Sequence, residues 1–141
     1  MTRVIFLHGA TDRLAAAVRW LGEAAAAKRT VLVYAPTADM AERLDRLLWT
    51  LAATGFVPHV RAGSPLAAES PIVIASQLDA LPHDQVLLNL GDEVPPGFSR
   101  FEELIELVSS DDEVRLPARE RFKFYRERGY APESRDIGAP H

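Results

Sequence analysis

The sequence predicts an α/β domain built around a buried, mostly parallel sheet. Three observations predict it. Short apolar runs such as Val4–Leu7, Val31–Ala35 and Val86–Leu90 lack polar alternation, which fits strands covered on both faces. The first two are joined by a stretch with helical apolar spacing, so strand, helix and strand form a βαβ unit with a right-handed crossover. The chain has 141 residues, 48% hydrophobic and 26% charged, which suits one globular core. The expected organisation is a single domain over 1–130 and a loose C-terminal tail over 131–141.

Taken in order, Val4-Ile5-Phe6-Leu7 is the first strand, closed by His8-Gly9. Thr11-Asp12 offers a helix N-cap. Leu14, Val18, Leu21 and Ala25 then recur at helical spacing as far as Lys28. Lys28-Arg29 place positive charge near the helix C-terminus, as its dipole favours. Val31–Ala35 is the second strand. Thr37 is the expected cap of a second helix, with Met40, Leu44, Leu47, Leu48 and Leu51 inward and Trp49 at the stripe's edge. Gly55 ends it. Phe56-Val57-Pro58-His59-Val60 contains proline, which confines it to a sheet edge or extended surface segment.

Arg61–Ser70 reads as a loop and Pro71–Ala75 as a third clear strand. Leu78–Asp84 is irregular, and Val86–Leu90 is a fourth strand. Pro95-Pro96-Gly97 is a turn, Phe98–Glu103 a helical turn or two, and Leu104–Val108 a fifth strand. Ser110 with Glu113 has capping-box spacing, so a last helix starts near Asp111. Pro117 predicts a kink or a restart, because it removes a helical hydrogen bond. Gly129 ends this helix.

Composition excludes several functions. There is no cysteine, hence no disulfide framework, thiol nucleophile or Cys-ligated zinc. That fits the cytosol. Neither a signal-peptide core nor an apolar run of ~18 residues for a membrane span is present. A formal charge of -4 argues against sequence-independent nucleic-acid binding. The turn HGATDR after the first strand is neither a dinucleotide fingerprint nor a Walker loop. His8, His59, His83 and His141 are scattered without metal-ligand spacing. His8 at a strand end could line a site, although a half-buried loop histidine is the commoner case. Asp111-Asp112 read as helix N-terminal charge. The pattern argues against an enzyme and for an interaction module.

The densest chemistry lies in Pro117–Tyr130, which holds Arg119, Arg121, Lys123, Arg126 and Arg128, five of the sixteen Lys+Arg. On a helix, Arg115, Arg119, Lys123 and Arg126 share one stripe, and Val114, Ala118, Phe122 and Tyr125 the adjoining one. Such a helix can be merely amphipathic with a solvated face. It also suits a partner that brings a hydrophobic side chain together with a carboxylate.

Two segments carry a family resemblance: RLDRLLWTLAATGFVPHV, Arg43–Val60, and ARERFKFYRERGY, Ala118–Tyr130. In these, and in the order of elements along nearly the whole chain, the sequence resembles the chi-subunit family of the bacterial DNA polymerase III holoenzyme, part of the clamp-loader assembly. The resemblance implies a three-layer Rossmann-like α/β sandwich with a mostly parallel central sheet and no nucleotide-binding loop. It implies a non-catalytic cytoplasmic replication adaptor without metal or cofactor. The adaptor would bridge the psi subunit to the acidic C-terminal tail of single-stranded DNA-binding protein, touching DNA only indirectly and no membrane.

By the same resemblance Arg119 is essential for the tail, with Trp49, Val108, Arg115, Phe122 and Lys123 around it. Phe56, Val57 and Pro58 belong to the psi contact. Phe122 stands where family members can have tyrosine, and Pro117 departs from the pattern. A different class of reading is a small-molecule or nucleotide-binding enzyme acting at strand ends near His8, Pro36-Thr37 and Ser76. An Arg-edged apolar groove on the last helix favours the adaptor over it.

Overall fold

A computed structural model describes residues 1–50, 58–67, 70–78 and 83–138. In chain order the elements are β1 (Arg3–Ala10), α1 (Arg13–Ala26), β2 (Val31–Tyr34), α2 (Ala38–Thr50), β3 (His59–Arg61), β4 (Ile72–Ala75), β5 (Val86–Asn89), a 3₁₀ turn (Phe98–Arg100), β6 (Glu103–Ser109), α3 (Asp112–Glu127) and β7 (Glu133–Asp136). The strands join one sheet in the order β3-β4-β2-β5-β6-β1-β7. Every described pairing is parallel.

Parallel strands need cover on both faces, and the side-chain alternation supplies it. Ile5, Leu7, Ile105 and Leu107 pack with Leu14, Leu21, Leu44 and Leu48 of α1 and α2. Val4, Phe6, Leu104 and Val108 pack with Ala118 and Tyr125 of α3. The result is three layers, with α1 and α2 on one face of the sheet and α3 on the other. Helix α1 is capped by Asp12, whose carboxylate accepts from Ala15 N–H at 3.0 Å. Thr37 Oγ1 accepts from Met40 N–H at 3.2 Å at the start of α2.

Some expectations on the last third of the chain are corrected. Within the tail, Glu133–Asp136 are not loose: they add β7 alongside β1, with Phe6 opposite Ser134 and His8 opposite Asp136. Its side chains are polar, so pairing with β1, not hydrophobicity, makes it a strand. Phe98–Glu103 is a single short turn, because Glu103 already opens β6. The Ser110 capping box does not form. Ser110 N–H donates to Ala10 C=O at 2.9 Å instead, so the residue is taken up by the junction of β6 with β1, and Asp111 becomes the N-cap. Helix α3 runs through Pro117 without a restart. The acceptor left idle by the missing N–H is the carbonyl of Glu113, an exposed residue in the first turn where water can replace the bond.

A buried polar cluster fixes α3 to the sheet. Glu106, in the middle of β6, is 0% exposed. Its carboxylate accepts from Tyr125 O–H at 2.6 Å, from Arg121 Nε at 3.0 Å, and from Asn89 Nδ2 at 3.0 and 3.1 Å. Arg121 Nη1 also donates to the carbonyl of Asp92 at 2.7 Å. Burial, and then the adjoining Glu106 carboxylate, push the Tyr125 phenol up, so it stays a donor throughout the neutral range. On the other side Arg13 folds back and donates to the carbonyls of Leu107, Leu90 and Gly91 at 2.8, 2.9 and 3.1 Å. Burial and then Arg121 lower its guanidinium to about 10, which leaves it charged at neutral pH.

This cluster yields a stability test. Breaking a buried pair from one side leaves an uncompensated charge, so Glu106→Ala should cost about 3–5 kcal/mol in denaturant unfolding. Tyr125→Phe should cost about 1.5–3 kcal/mol, the value of a bond to a charged acceptor. The double variant Glu106→Leu, Arg121→Met should recover most of the Glu106→Ala loss, since an apolar pair can replace a buried ion pair. A double variant less stable than Glu106→Ala would contradict the account.

Candidate functional site

Strands β1 and β6 are neighbours, but the chain leaves them toward opposite faces, to α1 and α3 respectively. A groove of about 300 Å³ opens at their carboxyl ends. Its floor is apolar: Phe6 from β1, Val108 from β6, and Ala118 and Phe122 from α3. The rings of Phe6 and Phe122 meet edge-on with centroids 5.1 Å apart. Arg115 and Arg119 edge the groove from α3, His8 and Gly9 from β1, Ser109 and Ser110 from the end of β6, and Ser134 from β7.

The local sequence explains the shape. Gly9 has φ +86, a left-handed conformation that favours glycine, and a Cβ there would lie 2.6 Å from Asp136 Oδ1. Glycine therefore lets the end of β7 close against β1 and form a wall. Helix α3 places Arg115, Ala118, Arg119 and Phe122 on one side because they are three and four residues apart.

The two arginines differ. Arg115 is tied to Asp112 at 2.5 Å, and that pairing, with Arg119 farther off, holds the Asp112 carboxyl below the usual range. Arg119 is exposed and makes no hydrogen bond or ion pair with the described residues. It is a guanidinium fork with its donors available, beside an apolar floor. That arrangement can hold a carboxylate in two parallel bonds while an adjacent hydrophobic group is buried.

Of the site residues read from the sequence, Arg115, Arg119, Phe122 and Val108 come together here. Lys123 is exposed one turn along α3 from Arg119, outside the groove lining. Trp49 is elsewhere. It is 60% exposed at the end of α2, and its ring stands 5.2 Å from that of His59 in β3. Strand β3 is one edge of the sheet, four strand spacings from β6, roughly 19 Å at ~4.8 Å each. Trp49 also lies on the α1/α2 side, whereas the groove is on the α3 side. Trp49 is therefore not among the residues that line this groove. Pro58 is exposed immediately before β3, and Phe56 and Val57 lie outside the described residues.

The residues named for an enzyme do not converge. His8 lies among the last residues of β1, Thr37 is engaged as the α2 cap, and Ser76 follows β4. Among the described residues no group of three His, Cys, Asp or Glu could hold a metal ion, and no helix is long and apolar enough to cross a membrane. The sequence reading assigned Phe6 to the core alone and had no signal for Ser134 or Ser109, because only the fold brings β7 and the end of β6 to Phe122.

Comparison with known proteins agrees with the resemblance. Residues 1–133 match the family model described as DNA polymerase III chi subunit, HolC. The chain is 37% identical over 100 residues to DNA polymerase III subunit chi of Pseudomonas aeruginosa, covering 70% of this chain and 69% of that one. It is 32% identical over 103 residues to the Escherichia coli subunit chi, covering 72% and 70%. The Haemophilus influenzae subunit chi is 31% identical over 112 residues, covering 78% and 77%. With its parallel sheet, its three layers and this match along most of its length, the chain belongs to the DNA polymerase III chi subunit family.

Proposed function

We propose that this chain is a non-catalytic accessory subunit that bridges two partners within the clamp-loader assembly of a replicative DNA polymerase III. One partner is the acidic C-terminal tail of single-stranded DNA-binding protein, and the groove between β1, β6 and α3 is its site. The observation that carries this reading is the guanidinium of Arg119, which no described residue engages, beside the floor of Phe6, Val108 and Phe122. A terminal phenylalanine needs the floor and its carboxylate needs the fork. Arg115 and Lys123 add longer-range attraction for the tail's aspartates, which salt screens.

The other partner is the psi subunit, at the opposite edge of the sheet. There Trp49 and Pro58 are exposed beside β3, next in sequence to Phe56 and Val57. Exposed tryptophan is a frequent anchor of protein interfaces. Two sites at opposite edges allow both partners to be held at once, as a bridge requires. The subunit works in the cytoplasm and meets DNA only through these partners.

Titration with a synthetic acidic peptide ending in Pro-Phe tests the first site. Arg119→Ala should weaken binding by about 1.5–3 kcal/mol, and Arg119→Lys should restore it only in part, since an ammonium cannot form the fork. Amidating the peptide's C-terminus should hurt the unmodified protein far more than Arg119→Ala, a coupling read directly from the four affinities. Equal losses would move carboxylate recognition to Arg115 or Lys123.

The two sites should also separate. Trp49→Ala should leave peptide affinity unchanged while weakening psi by about 2 kcal/mol, and Arg119→Ala should do the reverse. A Trp49→Ala protein that loses the peptide and keeps psi would contradict the assignment of the two edges.

A further inference from the structure

The outer wall of the groove is its least anchored part, and the ion pair that holds that wall lies on the other face of the sheet. Strand β7 is an edge strand, hydrogen-bonded on one side only, to β1. None of its residues is buried: Glu133 is half-buried, and Ser134, Arg135 and Asp136 are exposed. A strand without buried side chains belongs to the part of a fold that opens locally at little cost. At its start Arg3 grips Glu133 with two arms of its fork, Nε to Oε2 at 2.6 Å and Nη2 to Oε1 at 3.0 Å. Arg135 adds a longer bond to the same carboxylate at 3.3 Å. Just past its end Ile137 N–H donates to His8 C=O at 2.9 Å. Side chains alternate between the faces of a strand. Phe6 lies on the α3 side, and Ser134, in register with it, lines the groove. Ile5 packs on the α1 side. Glu133 is in register with Ile5, and Arg3 precedes it by two residues, so the Arg3–Glu133 pair sits on that opposite face and lines no part of the groove.

We propose that Arg3 is a positioning residue for the groove: by holding Glu133 it keeps β7 closed on β1, and the closed strand places Ser134 as the wall against which a peptide ligand packs. The inference rests on the groove being the peptide site. An exposed ion pair by itself contributes little, but a bidentate one in good geometry is the favourable case, and β7 has no buried side chain to hold it otherwise. Binding that needs the closed strand weakens in proportion to the fraction of molecules in which it is closed. Linkage makes the relation mutual: a peptide that prefers closed β7 itself holds β7 closed. Simple charge attraction gives the opposite sign at Glu133. Removing that carboxylate takes negative charge away from the surroundings of an acidic ligand and by attraction alone tightens binding, whereas release of β7 loosens it.

The test uses the full chain and the acidic peptide ending in Pro-Phe. Affinity is measured by titration, and hydrogen exchange of the β7 backbone amides is followed with and without peptide. Arg3→Ala and Glu133→Gln should each weaken binding about two- to five-fold, the range of an exposed ion pair in good geometry, with global unfolding nearly unchanged. The double variant should bind no more weakly than either single one, because both remove the same pair. Arg3→Lys keeps the charge and loses the fork, so its affinity should fall between wild type and Arg3→Ala. Without peptide, the β7 amides of both single variants should exchange faster than those of the wild-type chain, and saturating peptide should slow them in the wild-type chain. Tighter binding by Glu133→Gln, additive losses in the double variant, or β7 exchange that peptide does not slow overturns the role of Arg3 while the groove stands. A wild-type chain that fails to bind the peptide overturns the groove itself, and this inference falls with it.

Discussion

The buried Glu106 carboxylate is the constraint on which the rest of the arrangement depends. A charge with no solvent exposure is tolerated only when its hydrogen-bonding capacity is filled. Here the donors come from β5, through Asn89, and from two turns of α3, through Arg121 and Tyr125. Satisfying one residue therefore sets the distance, rotation and axial position of α3 on the sheet. Hydrophobic contact alone would allow α3 to slide, because apolar surfaces are not directional. The network does not.

That registration is what turns an ordinary amphipathic helix into a wall of the groove. Arg121 and Tyr125 face inward to Glu106, so Ala118 and Phe122 must lie over the end of β6, and Arg119 must stand at the rim. Arg13 adds to this from the opposite layer. It gathers the carbonyls of Leu107, Leu90 and Gly91 and so ties together the ends of β5 and β6, beside which the groove opens. The buried cations that shape the site are not those that would meet a ligand.

Much of the architecture was legible in the sequence because it depends on local periodicity. Runs such as Ile72–Ala75 without polar alternation can only be buried strands, and the spacing of Leu14, Val18 and Leu21 has a helical period. What was not legible depends on distant pairing. Nothing in Glu133-Ser134-Arg135-Asp136 resembles a strand; it becomes one because β1 offers an open edge. Arg121 reads as one more cation in a basic segment, and its role appears only when Glu106, fifteen residues earlier, is seen to face it. The basic and apolar stripes of α3 followed from helical geometry. The position of Trp49 has the same origin: its residue type suits a pocket, but the layer and edge it occupies are set by the whole sheet.

The charge layout also explains why a site at strand ends in this fold would favour a peptide over a nucleotide. Open parallel sheets bind phosphates there because a glycine turn exposes N–H groups at a helix N-terminus. In this chain both relevant helix starts are closed to anions. The first turn of α1 is occupied by the Asp12 carboxylate, and Arg13 beside it is committed to backbone carbonyls. The start of α3 carries Asp111, Asp112 and Glu113, which oppose an incoming anion and consume the dipole that would attract it. The positive charge left for a ligand sits further along α3, at Arg119, on a side chain instead of a backbone cradle. A guanidinium beside phenylalanines matches a carboxylate attached to a hydrophobic residue, and the apolar floor offers no partners for the oxygens of a polyphosphate.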